Sequence, residues 1–228
     1  MKQALLGTLF TLFGIAAIAQ TINKEAYKRY VDIDKYDQSL DGYVVLKNGE
    51  KEEALIKYEE PYLLTDPTLP LITYRKKNNK EKAYLKDKIA GFYVNDQLYV
   101  PEYFDGDSSR WVMVVREGAI RESIVLIPNK PFDKPDYYTV NRLVTNTVTL
   151  RAYFVGRLAI NFARNMSSLI FDDTALNKKV RDAEEGYKFL NYQQIVARYN
   201  MWFDSNNPDV IPYILPRPDY QKLIDSDN

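Results

Sequence analysis

The sequence predicts a mainly β, α+β fold: an antiparallel meander, sandwich or barrel-like body followed by two C-terminal helices. Three observations predict it. Short runs rich in Val, Ile, Tyr and Phe recur on either side of two-residue turn signals, Asn48-Gly49, Asn95-Asp96 and Glu117-Gly118 among them. Prolines cluster at Pro61, Pro67 and Pro70, at Pro128, Pro131 and Pro135, and from Pro208 to Pro218, leaving unbroken bodies between them. Beyond Asp173 the residues change from β formers to helix formers.

In chain order, the first element is an export signal. Lys2 is followed by an uncharged stretch from Ala4 to Ala19, and Ala17-Ile18-Ala19 is the small-x-small pattern of a signal-peptidase site. Residues 1–19 are therefore expected to be removed between Ala19 and Gln20. The apolar run is short against the ~20 residues that span a bilayer, so no transmembrane segment is expected after processing.

The β-rich body is placed at 20–173, with sub-bodies at about 21–60, 71–127 and 136–173. In the first, Tyr43–Lys47 and Glu53–Tyr58 flank Asn48-Gly49, read as a type I′ hairpin because that turn needs positive φ at both central residues. In the second, three more hairpins are expected: 71–76 with 82–86 around Asn78-Asn79, 89–94 with 98–100 around Asn95-Asp96, and 111–116 with 120–127 around Glu117-Gly118. Residues 147–162 alternate apolar at even and mainly polar at odd positions, which favours two strands turning near Val155-Gly156-Arg157. Leu150, Phe154, Leu158 and Phe162 also stand four apart, the spacing of a single helix.

The helical part is placed at 174–205. Ala175 to Glu185 reads as one helix stopped by Gly186. Asn191 can cap a second, in which Ile195, Tyr199 and Trp202 share a face with Val196 and Phe203 beside it. The proline-bearing end, 206–228, is expected to be an extended tail.

Two segments carry a resemblance. The run from Gly42 to Glu50 with Leu55-Ile56-Lys57-Tyr58, and Glu185 to Leu190 leading into Arg198 to Phe203, resemble the opening hairpin and closing helix of small exported β-rich proteins of Bacteroidota. The resemblance implies location and shape. That family is uncharacterised, so it implies no active-site residue.

Composition narrows function by exclusion. The chain has no His and no Cys. This removes Ser-His and Cys-His nucleophiles, thiol chemistry, disulfides and the usual zinc ligand sets. Lys and Arg balance Asp and Glu at 31 each, which gives no electrostatic case for binding nucleic acid. Acidic clusters fail the EF-hand test: counting from Asp32, the sixth and twelfth positions are Asp37 and Tyr43 rather than Gly and Glu, and counting from Asp105 they are Arg110 and Arg116. Adjacent carboxylates (Glu52/Glu53, Glu59/Glu60, Asp172/Asp173, Glu184/Glu185) point to opposite faces if they lie on strands, so none forms a glycosidase pair by itself.

The one strongly basic stretch, Arg75, Lys76, Lys77, Lys80 and Lys82, offers an anion-contact surface for envelope lipid or polysaccharide. It serves equally as charge that guards a sheet edge. The expectation is an exported protein, periplasmic or secreted, that acts without catalysis or cofactor through a binding surface, its partner an envelope protein or glycan. A small carboxylate-based glycan hydrolase is the alternative. Two carboxylates converging in a cleft with exposed Tyr or Trp would favour the enzyme.

Overall fold

The computed structural model of the protein describes residues 19–23, 38–57, 71–74, 80–84, 88–103, 109–128, 137–210 and 218–225. Their strands are β1 (Ala19–Asn23), β2 (Ser39–Leu46), β3 (Lys51–Lys57), β4 (Leu71–Tyr74), β5 (Glu81–Tyr84), β6 (Ile89–Val94), β7 (Gln97–Tyr103), β8 (Ser109–Arg116), β9 (Ile120–Pro128), β10 (Tyr137–Asn146) and β11 (Arg151–Phe154). All pair antiparallel in one sheet of order β1-β10-β9-β8-β7-β6-β2-β3-β4-β5. Strand β11 joins the same edge of β10 as β1: β1 pairs with 137–141 and β11 with 143–146. The fold is thus mainly β and antiparallel, with helices after the sheet.

The four expected strand pairs form, three of them around the expected turn residues, while the Asn78-Asn79 tip between β4 and β5 lies outside the described residues. The turn type expected at Asn48-Gly49 is found at another hairpin. Asn95 and Asp96 both have positive φ, 51° and 60°, so the type I′ turn lies between β6 and β7. At the first hairpin Gly49 alone of the pair is left-handed, at φ 86°. Its N–H donates to the Leu46 carbonyl at 2.9 Å, and Leu46 N–H donates to Glu50 at 2.9 Å. This is a three-residue loop with its glycine in the bulge position, so one positive φ suffices.

Alternation gives the sheet two buried faces. One carries Val44, Ile56, Phe92, Val94, Tyr99, Trp111, Met113, Ile124 and Val140 as a single cluster. On the other, Leu98, Val100, Val112, Val114, Val125 and Leu143 pack with Tyr93, Ala152 and Phe154.

The helices are α1 (Val155–Ile160), α2 (Phe162–Leu169), α3 (Thr174–Arg181), α4 (Tyr192–Asn206) and α5 (Tyr220–Asp225). They dock on Ala119, Ile120 and Val144 at one end of the sheet, burying Leu158, Met166, Leu169, Val180, Ile195, Val196, Tyr199 and Phe203. Two expectations are corrected here. Residues 147–162 are not two strands: 147–150 form a turn, β11 follows, and the chain becomes helical at Val155. The polar/apolar alternation holds only while β11 pairs with β10. Beyond Phe154 the helical stripe prevails, because Val155 and Leu158 bury together in the helix cluster. The helical part therefore begins near 155 rather than 174. Nor is the end of the chain wholly extended: α5 packs Tyr220 and Ile224 against Ala197 of α4.

Helix α3 starts at Asp173, whose side chain accepts from Leu176 N–H at 3.0 Å. It ends sooner than Gly186. Ala183, at φ 52°, takes the left-handed position, with Ala183 N–H donating to Val180 and Glu184 N–H to Lys179. In α4 the expected face is buried, except that Trp202 is only half-buried, while Arg198 and Ser205 are exposed. Asn191 caps nothing on the backbone; its amide donates to Gln194 Oε1 at 3.3 Å. No helix among the described residues is long and apolar enough to cross a membrane.

Candidate functional site

The second sheet face ends in charge. On β7 the alternation Leu98, Val100 continues to Glu102; on β9 Val125 and Ser123 lead to Arg121; on β10 Leu143 leads to Thr145. At the next inward position each of these strands carries an ionisable or hydroxyl side chain. Glu117, on the β8–β9 turn, completes the group. Glu102 and Glu117 are 4% and 2% exposed.

Arg121 joins them. Its Nε donates to Glu117 Oε2 at 2.9 Å and its Nη1 reaches Glu102 Oε1 at 3.4 Å. The Thr145 hydroxyl donates to the other oxygen of Glu102. Burial raises the Glu102 carboxyl above the usual carboxylate range, although Arg121 and Thr145 pull the other way. Burial opposes the Arg121 charge, yet Glu117 and Glu102 outweigh it and strengthen the guanidinium's hold on its proton. Glu117 Oε1 is shut off from solvent and has no hydrogen-bond partner among the described residues.

These side chains form one end of a cavity of about 520 Å³. The tip of the β2–β3 hairpin (Leu46 to Gly49, with Lys51) closes one side, and Pro101, Tyr103 and Leu150 another. The size is within the ~300–1,000 Å³ range of small-molecule sites, and the mix of apolar walls and a few polar groups is typical of them.

Glu117 is held from the far side of the sheet. Tyr220 Oη on α5 donates to the Glu117 carbonyl at 2.9 Å. Asn200 on α4 bonds both ways to Ile120, accepting from its N–H at 2.7 Å and donating to its carbonyl at 3.0 Å. The helices thus set the turn that carries Glu117.

Other buried polar groups are structural. Tyr199 donates to Asp172 at 2.8 Å, linking α4 to the connection after α2, and Asn146 donates to the Leu169 carbonyl at 2.7 Å, tying α2 to the end of β10. Arg116 pairs with Glu122 at 3.0 Å beside a cavity of only about 10 Å³, too small for a ligand.

The residues singled out in the sequence lie elsewhere. Ala19 and Gln20 open β1, opposite Asn141 and Val140. Of the basic stretch, Arg75, Lys76 and Lys77 lie outside the described residues. Lys80 is exposed, and Lys82 pairs with Glu52 at 2.7 Å and stands 4.3 Å over the Tyr84 ring. Both flank or occupy β5, which ends the strand order, where lysine hinders edge pairing. Asp32, Asp34, Asp37, Glu59 and Glu60 also lie outside the described residues, as does the Asp105-Gly106-Asp107-Ser108 run. Asp172 and Asp173 serve the Tyr199 bond and the α3 cap, and Glu184 and Glu185 are exposed. Among the described residues no three acidic side chains are placed to hold a metal ion.

Glu102, Glu117, Arg121 and Thr145 escaped the sequence reading because no motif marks them. The available signal was a charge at an inward position of an alternating strand.

No family model, curated protein or solved structure matches this chain.

Proposed function

We propose that this chain is an exported, non-catalytic binding protein, processed before Gln20, whose working site is the cavity above Glu102, Glu117 and Arg121. One observation carries the reading. A cavity of about 520 Å³, within the ~300–1,000 Å³ range of small-molecule sites, is lined by Glu102, Glu117 and Arg121, whose side chains are joined to one another.

The glycan-hydrolase alternative has support of its own: two carboxylates meet at one cavity, Glu102 holds its proton above the usual range, and Tyr103 is 51% exposed. Binding is preferred because Arg121 is bonded to both carboxylates. A glycosidase needs the space between its carboxyls for the sugar and a water, and here a guanidinium bridges them.

The test is amide-shift mapping with a fragment collection, on native protein and on Ala90→Trp, which plugs the cavity. Shifts at Gly118, Arg121, Thr145 and Leu150 that vanish in the plugged variant support the reading. Ligands that shift only other residues refute it. Glycoside hydrolysis abolished by Glu102→Gln and by Glu117→Gln would install the enzyme instead. Intact-mass measurement of protein recovered outside the cytoplasm tests processing; a mass that retains residues 1–19 contradicts it.

A further inference from the structure

Resting on the cavity reading, we infer that the ligand is a single-chain amphiphilic acid, its alkyl chain inside the cavity against Pro101, Tyr103 and Leu150 and its carboxylate at the mouth beside Lys47. Three observations lead there.

The polar side chains of the cavity are already engaged within the protein. Both oxygens of Glu102 are taken, by Arg121 and by the Thr145 hydroxyl. Glu117 accepts from Arg121 through Oε2, and its Oε1 is closed off from solvent, so it offers a ligand nothing. Thr147 Oγ1 donates to the Ala119 carbonyl at 3.1 Å. On the hairpin tip, the Asn48 amide donates to Glu50 Oε2 at 2.8 Å, and the Lys51 ammonium stands 4.7 Å over the Tyr43 ring. What the walls present to a guest is mainly carbon, from Val45, Leu46, Ala90, Pro101, Tyr103 and Leu150. Burying an alkyl chain on such walls is favourable without any new hydrogen bond.

The apolar mouth is kept at a cost to the fold. Leu150 is 67% exposed and sits at φ 58°, the left-handed region that a side chain with a Cβ disfavours. Its turn is otherwise well made: Asn146 Oδ1 accepts from Val148 N–H at 3.0 Å and Thr149 N–H at 2.9 Å. Glycine would relieve the position. Stability alone would not retain a strained, exposed leucine there; an apolar contact at the cavity mouth accounts for it. Tyr103, half exposed on the same cavity, adds the face of its ring.

Charge selects the headgroup. Lys47 lines the cavity, is exposed, and has no ion pair or hydrogen bond among the described residues. With Lys51 and Arg121 it sets three cations against the carboxyls of Glu102 and Glu117. Burial helps Glu102 keep its proton, which deepens the positive excess. An alkylammonium would add to that excess. A carboxylate offsets it, and beside an exposed lysine it stays in water while its chain enters.

The experiment is amide-shift titration of the full processed chain with hexanoate, octanoate and decanoate below their micelle concentrations, and with octylamine, octanol and maltose. Saturable shifts are expected with the acids at Leu46, Ala90, Tyr103 and Leu150, and they should vanish in Ala90→Trp. Each added pair of methylenes should tighten binding about tenfold until the cavity is full. Lys47→Gln should weaken octanoate about two- to fivefold, the scale of an exposed ion pair, and leave octanol unchanged. Leu150→Gly should weaken every alkyl probe while the unfolding midpoint holds or rises, a pairing that a merely structural leucine would not produce.

Shifts at these residues from maltose or octylamine with none from the acids overturn the ligand class and leave the cavity reading standing. No response at these residues to any probe overturns both. Equal affinity from hexanoate to decanoate overturns the buried chain, and a Lys47→Gln loss equal for octanoate and octanol overturns the headgroup.

Discussion

Replacing Gly118 by Ala should destabilise the protein severely, and the effect should be coupled to Asn200. The backbone at Gly118 is not left-handed, so the cost is one of space. A Cβ there would lie 2.2 Å from Asn200 Nδ2, 2.6 Å from Asn200 Cγ and 2.9 Å from Tyr220 Oη. The Asn200 amide has to withdraw, and with it go both bonds to the Ile120 backbone, in a region where Ile120 and Asn200 are 0% and 1% exposed. Two buried backbone groups left unpaired at ~1–3 kcal/mol each give a loss of about 2–6 kcal/mol. Asn200→Ala strands the same two groups and should cost a similar amount. In the double variant the methyl has nothing to strike and the bonds are already gone, so its cost should fall short of the sum by ~2 kcal/mol or more, within the range seen for contacting residues. Urea unfolding of the four proteins measures this cycle. Additive losses, or a Gly118→Ala midpoint equal to that of the native chain, would refute the claim that α4 clamps the β8–β9 turn.

Four further outcomes are expected. Gly49→Val should cost ~1–3 kcal/mol, because a β-branched residue tolerates the φ of 86° poorly; an unchanged denaturation midpoint contradicts the turn assignment. Ala183→Gly should stabilise by up to ~1 kcal/mol, since glycine suits the left-handed cap of α3; a lower melting temperature speaks against it. The raised Glu102 pKa means the folded state holds a proton that the unfolded state has lost, so its stabilising contribution is complete below the ordinary carboxylate range and lost as pH rises through the folded value. Stability should therefore fall with pH across that window and fall less steeply in Glu102→Gln, as pH-dependent urea titration will show; parallel profiles exclude the assignment. Trp202→Ala, at a half-buried ring packed against the helix cluster, should cost ~1–3 kcal/mol, below the range for fully buried aromatics, and Arg198→Ala much less; equal losses would mean that the α4 face is misassigned.

Local chemistry was sufficient for much of this protein. Asn95-Asp96, Asn48-Gly49 and Glu117-Gly118 fall between alternating runs, and a short-range code of turn and period set those hairpins without reference to the rest of the chain. The buried stripe of α4 was likewise legible, since 3.6-residue periodicity is written in consecutive residues. The absence of His and Cys limited the available chemistry before any fold was known. Tertiary structure decided what depends on distant partners. Residues 147–162 satisfy a strand and a helix alike, and the switch at Val155 comes from the helix cluster that receives Leu158. Trp202 lies on the right helix but at the margin of its buried face, which only the placement of the neighbouring helices determines. The candidate site is the extreme case. Glu102, Glu117, Arg121 and Thr145 sit on three strands and a turn, and they meet because of sheet order and register. The turn bearing Glu117 is held there by Asn200 on Ile120 and Tyr220 on Glu117, some eighty and one hundred residues away in sequence. A lone glutamate in a strand reads as solvated surface; it becomes a buried, half-satisfied carboxylate only when the strands beside it close off the water.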